Sequence, residues 1–268
     1  MIPRKVVIRG AGDLATGVAH RLWRSGFSVV MLELPKPLVV RRTVSFAAVV
    51  YEGSIVVESV QAELCSSPDR VNEYFTRKVI PVLIDPHAES LAMLQPSTVV
   101  DAIMAKNNKV TGIEDAGLVI GIGPGFTGGK DVHAVVETKR GLNLGRVFYE
   151  GSAAEDTLEP GIIDGYGRER LLRSPSGGIF EPLKKIGDLV KAGETVAAVG
   201  REEIKSAIDG MVRGMLYPGL EVTEGMKVGD IDPRGESADY KSISDKARAV
   251  GGGVLEAILH RYFAGNTL

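Results

Sequence analysis

Gly10-x-Gly12-x-x-Ala15 lies between a short β-rich run, Lys5 to Arg9, and a stretch of helical periodicity marked by Leu14, Val18, Leu22 and Trp23. Residues of these types at this spacing suit phosphate binding. The first glycine makes a tight turn and the second lets a pyrophosphate approach the backbone. The third position packs helix on strand, where alanine commonly replaces glycine. Free N–H groups at the helix start and the helix dipole favour negative charge, so Gly10, Gly12, Asp13, Leu14 and Ala15 are the expected cofactor-binding turn. Glu33 ends the next strand about 20 residues on, where an acid can hydrogen-bond a ribose hydroxyl. Asp13 is a departure, since its carboxylate repels a pyrophosphate unless it points away or accepts ligand donors. The alternative is a glycine turn with an empty crevice.

Three acids, Glu33, Asp85 and Asp101, each close an expected parallel strand, and ligands bind beyond the carboxyl ends of such strands. They read either as acceptors for ribose or pterin-type donors, or as helix caps and turns, Asp85-Pro86 being a good turn start. A glycine-rich loop, 121–129, offers Gly123 and Gly125 for close backbone approach and runs into Asp131, His133, Val135 and Glu137. On an extended strand these last four share one face. One imidazole with two carboxylates could supply an acid–base pair, hold a metal, or form a hydrogen-bonded strand edge. The chain has four histidines and none pairs with His133 at ligand spacing, so no metal is expected. Asp131, His133 and Glu137 are the catalytic candidates, and their face is expected to look into the crevice of Gly12 and Glu33. Cys65 could carry sulfur or selenium, but a lone cysteine reads first as a buried small apolar residue. Arg41-Arg42-Thr43 could contact a phosphate or start a solvated helix.

The elements that must position these residues alternate. Strands over 5–9, 27–34, 79–84 and 98–102, with helical stretches near 68–77 and 87–94, imply a parallel sheet with right-handed connections. Runs at 118–123 and 132–138 extend or flank it. Beyond about residue 155 helical periodicity stops. Gly178, Gly187, Val190, Gly193 and Val196 recur 32 residues later as Gly210, Gly219, Val222, Gly225 and Val228, which fits two hairpin units packed face to face. Residues 244–263 are again helix-like. Gly251-Gly252-Gly253 would cost about 1 kcal/mol each inside a helix, so a tight turn or close backbone approach is expected there, with the helix beginning near Gly253. The fold class is thus α/β: a Rossmann-type parallel sheet domain over 1–155, a small all-β domain over 156–235, and a C-terminal helical segment over 236–268.

The 268 residues carry 32 Lys and Arg against 34 Asp and Glu, a formal charge of −2. This balance gives no reason to expect nucleic acid or an anionic membrane as partner. A single cysteine, no apolar run long enough for a bilayer, and a start lacking the apolar core of a signal peptide make the cytoplasm the expected location.

The runs RGAGDLATGVAHRL, VVRRTVSF, VDAIMAK, IGPGFTGGKDVHAVVET, RGLNLGRV, GDIDPR and ISDKARAVGGGVLEAIL, spread over nearly the whole chain, resemble the YqeB-type family of selenium-dependent molybdenum hydroxylase maturation proteins. The N-terminal half is distantly similar to the Rossmann domain of XdhC proteins, which handle molybdenum cofactor. The resemblance implies an accessory, chaperone-like role toward a client molybdenum hydroxylase. The bound ligand would then be a nucleotide or dinucleotide, molybdopterin dinucleotide or NAD(P). Leu142 stands where the family pattern more often has histidine, so no role resting on that position carries over. The repeat resembles a biotinyl/lipoyl-type barrel-sandwich hybrid. Its tip, Gly200 to Ser206 around Lys205, lacks the Met-Lys-Met and Asp-Lys-Ala signatures, and no biotin or lipoate is expected. The alternative function is a stand-alone NAD(P)-dependent oxidoreductase acting on a small molecule. Whether the chain is an enzyme, and whether it self-associates, stays open at this point.

Overall fold

The computed structural model describes residues 4–104, 111–155 and 160–263. The chain forms two compact units, one of Met1–Pro37, Ser45–Asp156 and Ile243–Leu268, the other of Leu38–Val44 and Thr157–Ser242.

In the first unit, β1 (Lys5–Arg9) and β2 (Ser28–Glu33) pair in parallel, Val6 on Val29 and Arg9 on Leu32, with α1 (Asp13–Arg24) between them. The chain continues through α2 (Val49–Glu52), β3 (Ser54–Val57), β4 (Val60–Cys65), α3 (Val71–Thr76), β5 (Ile80–Ile84), α4 (Leu91–Leu94), β6 (Thr98–Asp101) and β7 (Leu118–Ile122). Then come β8 (Thr127–Gly128), β9 (Ala134–Val136), β10 (Val147–Phe148), β11 (Gly151–Ser152) and, at the end, α5 (Asp245–Phe263). Among the described residues, nine strands form one sheet in the order β10-β9-β7-β6-β1-β2-β5-β4-β3, and β8 pairs with β11 apart from it. Its inner strands are parallel and both edges antiparallel. The central strands are near-continuous apolar runs because both faces are covered: Val6, Val7, Ile8, Val29, Val30, Met31, Val99 and Ile120 are fully buried.

The expected Rossmann-type parallel domain, followed by a small barrel-sandwich domain and a separate helical tail, is corrected on three points. The sheet is mixed, because the β3–β4 hairpin turns back at its edge. The turn is Glu58-Ser59, with φ of 45° and 69°. Two-residue hairpin turns of this kind favour Asn-Gly or Asp-Gly, so the sequence carries no turn signal here. Second, Leu38–Val44 belongs to the second unit. Met215 N–H donates to Val40 O at 2.8 Å, and the Arg42 guanidinium lies over Tyr217, 4.5 Å from the ring centre. The Thr43 hydroxyl donates to Tyr240 O at 2.6 Å. Third, α5 belongs to the first unit and runs unbroken through all three glycines from Asp245. They allow close approach and make no turn: a Cβ on Gly251 would stand 2.8 Å from Gly17 O, and one on Gly253 2.2 Å from Gly145 O.

The second unit contains β12 (Leu171–Arg173), β13 (Gly178–Pro182), β14 (Leu189–Val190), β15 (Thr195–Val199), β16 (Glu202–Lys205), β17 (Gly210–Met215), β18 (Glu221–Val222) and β19 (Lys227–Asp232). The 32-residue repeat maps β13, β14 and β15 onto β17, β18 and β19. Among the described residues the strands form two four-stranded antiparallel sheets, β12-β19-β17-β14 and β16-β15-β13-β18. Each repeat lends its short strand to the other: Val190 pairs with Gly210, and Gly178 with Val222. The repeated glycines Gly187, Gly193, Gly219 and Gly225 all have left-handed φ, between 75° and 100°, which favours glycine. Buried charges here are paired. Arg170 meets Asp230 at 2.8 Å, and Arg234 grips both oxygens of Asp232 at 2.9 and 2.7 Å.

Candidate functional site at the carboxyl edge of the sheet

The edge is built from the chain leaving β1, β2, β6 and β7. Gly10 turns with φ 91°, and a Cβ there would press on Ala102 O at 3.1 Å, so this glycine answers to backbone geometry and packing. Ala11 is locked on both sides. Its N–H donates to Glu33 Oε2 at 2.7 Å. Its carbonyl accepts from Ala47 N–H at 2.8 Å, the Ser45 hydroxyl at 3.0 Å and the Thr16 hydroxyl at 3.2 Å. Gly12 differs. Its φ of −63° and ψ of −175° suit any residue, and a Cβ on it would meet nothing within 4 Å. It caps α1 with no side-chain bond, and the first helical hydrogen bond runs from Thr16 N–H to Gly12 O at 2.8 Å. The first-turn N–H groups therefore lack intrahelical acceptors, beside open space. Asp13 sits in that turn, and Leu14 behind it is half-buried.

Glu33 uses both oxygens: Oε2 takes Ala11 N–H, and Oε1 takes Leu34 N–H at 2.7 Å. Burial pushes its carboxyl up, with the two N–H bonds pulling the other way. Asp101 is enclosed. Its oxygens accept from Ile103 N–H at 3.1 Å and from the Thr111 hydroxyl, and Arg9 lies 3.8 Å away. Arg9 and Asp101 are each 3% exposed, so this is a buried pair and offers a ligand no open acceptor. Asp85 caps the α4 turn, taking Glu89 N–H at 3.0 Å and, from Ser90, N–H at 2.8 Å and hydroxyl at 2.6 Å. Burial alone would raise its carboxyl, but the Ser90 and Glu89 bonds outweigh it and hold the group below its ordinary range. Of the three strand-end acids, Glu33 is the one whose carboxylate bonds the glycine turn itself.

The Asp131–His133–Glu137 set is divided by the structure. Asp131 lies outside β9, and its Oδ2 accepts Thr127 N–H at 2.9 Å. Glu137, 3% exposed, takes Thr138 and Lys139 N–H at 2.7 Å each and Ala154 N–H at 2.9 Å. His133 precedes β9 level with Val119: its N–H donates to Val119 O at 2.9 Å, and its Nδ1 accepts Val119 N–H at 3.0 Å. Acceptance at Nδ1 puts the ring proton on Nε2. Burial and the Arg261 charge lower its pKa, with Glu114 opposing. Val119 aligns with Val99, and Val99 with Val7. The imidazole therefore sits three residues below Gly10 and three strands across, about 14 Å sideways at ordinary strand spacing. The expected shared face is corrected: β6 and β7 intervene, and each of the three side chains serves a local turn or strand start.

Gly123 and Gly125 have φ of 75° and 101°, and a Cβ on Gly123 would strike the Thr138 hydroxyl at 2.9 Å and the Met104 methyl at 3.2 Å. A Cβ on Gly121 would stand 2.5 Å from the Phe126 ring. The glycine run thus folds back on its own strand. Gly10 against Ala102 and Gly123 against Met104 bring the two loops onto one segment, 102–104.

Sequence reasoning missed a cavity of about 500 Å³ at the carboxyl ends of β4 and β5, walled by Leu64, Cys65, Leu83, Ile84 and Met93, with Asp85 and Ser90 at its side. Ile84 is the register partner of Glu33, so the cavity opens one strand from Glu33 and two from the glycine turn. Its signal was an alternation in 60–65 that reads as a strand only once the hairpin is known. The Cys65 thiol donates to Ser67 O at 3.2 Å, and burial pushes its pKa up. Among the described residues no group of three or more His, Cys, Asp and Glu could hold a metal ion, and no helix is long and apolar enough to cross a membrane.

No family model matches the chain. It is 53% identical over 254 residues to a protein of Escherichia coli strain K12 named "Uncharacterized protein YqeB". That match covers 95% of this chain and 47% of the relative, so the chain spans about half the length of the curated relative it matches. Among solved structures it is similar to an aspartoacylase family protein of Mesorhizobium loti, at 10% identity over 86% of this chain and 85% of that one, with a TM-score of 0.26. It is also similar to the product-bound ectoine utilization protein EutE of Ruegeria pomeroyi, at 11% identity, 85% coverage of each chain and a TM-score of 0.26. A succinylglutamate desuccinylase from Silicibacter matches at 12% identity over 85% and 84% of the chains, with a TM-score of 0.25. TM-scores this low carry neither fold nor chemistry to this chain. These findings correct the remaining expectations. The curated relative is itself named as uncharacterized, and no comparison lends a maturation or oxidoreductase role to this chain. The maturation role, its molybdenum and selenium associations, and the NAD(P)-dependent oxidoreductase alternative are accordingly withdrawn.

Proposed function

We propose that this chain binds a phosphorylated small molecule of the nucleotide class at the carboxyl edge of the nine-stranded sheet. The observation that carries this reading is the open space at Gly12. No backbone angle and no neighbour requires a glycine there, whereas a side chain would fill the approach to the first-turn N–H groups of α1. A phosphate in that space meets backbone donors and the positive end of the helix dipole. Glu33, fixed by two backbone N–H groups, keeps lone pairs for sugar hydroxyls. The cavity beyond Ile84, with largely apolar walls, suits a flat base. The ligand would come from the cytoplasm, a compartment supported by the single cysteine.

The test is thermal-shift and calorimetric titration of wild type, Gly12→Val and Glu33→Gln with a panel of ribonucleotides and with inorganic phosphate. Gly12→Val is expected to weaken nucleotide binding at least tenfold with little change in melting temperature, since the Cβ it adds meets nothing within 4 Å. Glu33→Gln should weaken ribonucleotides more than phosphate. Equal stabilisation of wild type and Gly12→Val by every ligand that binds would refute the site.

A further inference from the structure

Further along α1, over residues that rise from about 6 to about 16 Å beyond Asp13 at 1.5 Å per residue, the molecule carries a second concave site. A cavity of about 190 Å³ is lined by Gly17, His20, Arg21 and Arg24 of α1 and by Ile243 and Arg248 at the start of the α5 segment. The β3–β4 turn braces three of these residues through Glu58. Glu58 Oε1 accepts Ile243 N–H at 2.7 Å and Arg248 Nη2 at 2.5 Å, while Oε2 lies 3.9 Å from His20 Nε2. Arg248 draws the Glu58 carboxyl below its ordinary range against the effect of burial. That carboxylate is thereby committed. Three guanidinium groups stand around one acid, while the His20 imidazole is turned to the turn itself, its Nε2 3.3 Å from Glu58 O. Among the described residues, neither Arg21 nor Arg24 has a carboxylate within ion-pair distance.

A basic last turn satisfies the helix dipole and explains one arginine there. It does not explain why Arg21 and Arg24, three residues apart on one helix, stand next to Arg248 from another element, whose partner Glu58 is already engaged. Like charges so placed repel one another. They also enclose a concavity of the right size, built where Gly17 lets Ala247 approach to within 2.6 Å of a would-be Cβ.

We infer that this cavity is an anion site, separate from the Gly12 crevice, that takes a phosphate group through Arg21, Arg24 and Arg248. Guanidinium forks match tetrahedral oxyanions in bidentate fashion, and the surplus positive charge supplies the attraction. Either a phosphate monoester or free phosphate offers this chemistry.

The experiment is calorimetry on the full chain with inorganic phosphate and, separately, with glycerol 3-phosphate, at low and at physiological salt. Wild type, Arg21→Gln/Arg24→Gln and Gly12→Val are compared. Both arginines are exposed, so the double variant should melt as wild type does without ligand. Saturable binding that weakens at least tenfold in the double variant, weakens with salt and persists in Gly12→Val supports the site. The tighter of the two ligands identifies its source. Binding unchanged in the double variant, binding lost in Gly12→Val instead, or no saturable binding in wild type overturns it. Because the crevice reading fails on Gly12→Val and this one on the arginines, the two failures are distinguishable.

Discussion

Single residues separate by whether the fold already accounts for them. Gly10, Gly121 and Gly123 are required by their φ or their neighbours, whereas Gly12 is not, and that difference directs attention to the space before α1. The sequence made the glycine turn and Glu33 legible because both depend on local order, a strand end and a helix start. It misassigned His133 because alternate spacing places residues on one face only where a strand exists, and β9 begins at Ala134. His133 instead completes a backbone pairing with Val119. His133→Ala should therefore cost about 1–3 kcal/mol by leaving that N–H unsatisfied, and leave ligand binding unchanged. The pH dependence has a defined sign. Burial lowers the native pKa of His133 below the unfolded value of about 6.5, so the unfolded chain binds more protons between the two values. This contribution is complete above about pH 6.5 and is lost as pH falls toward the native pKa. His133→Asn, which keeps an acceptor for Val119, should flatten that part of the profile. Urea unfolding at pH 7.5 and 5.5 measures it, and an unchanged slope would contradict the assignment.

Elements were legible where one face is apolar and a turn residue marks the end. The repeat shows this best: glycines and valines at a fixed 32-residue interval mark matching strands and left-handed turns. The β3–β4 hairpin was not legible because its turn uses Glu58 and Ser59, neither of them a usual left-handed residue. It is held from outside, by Ile243 N–H and Arg248 on the Glu58 carboxylate, and no local pattern records partners 185 and 190 residues away. α5 was shortened for the opposite reason, since glycines that disfavour a helix locally are the condition for its packing. Gly252 faces open space, so Gly252→Ala should stabilise by about 0.5–1 kcal/mol. Gly251→Ala should destabilise by about 1–3 kcal/mol, because its Cβ would meet Gly17 O. Paired thermal melts of the two variants check both signs. On β16, Lys205 is ion-paired with Glu203 at 3.1 Å in a strand lacking the signatures modifying ligases read. Intact mass from the native host should show no biotinyl or lipoyl increment on it.

At the scale of the whole molecule, the chain passes between its two units four times, an arrangement no reading by successive segments reproduces. Boundaries at 155 and 235 assumed that what is contiguous in sequence is contiguous in space. Residues 38–44 and α5 break that assumption, each through contacts that become visible only in three dimensions. The placement of α5 also has a consequence in time. The helix that lies on α1 through Gly17, Ala247 and Gly251 begins nearly a hundred residues downstream of β10, the last strand of the sheet it helps cover. A ribosome adding about 5–20 residues per second needs on the order of 5–20 s to deliver it. During that interval the face of α1 destined for α5 is exposed to water, and the Glu58-Ser59 turn lacks the groups that hold it. On ribosomes stalled after residue 156 the sheet should be readily cut by protease within 54–65. It should become resistant only once residues through Phe263 have left the exit tunnel. Early resistance would mean that the sheet closes without its last helix.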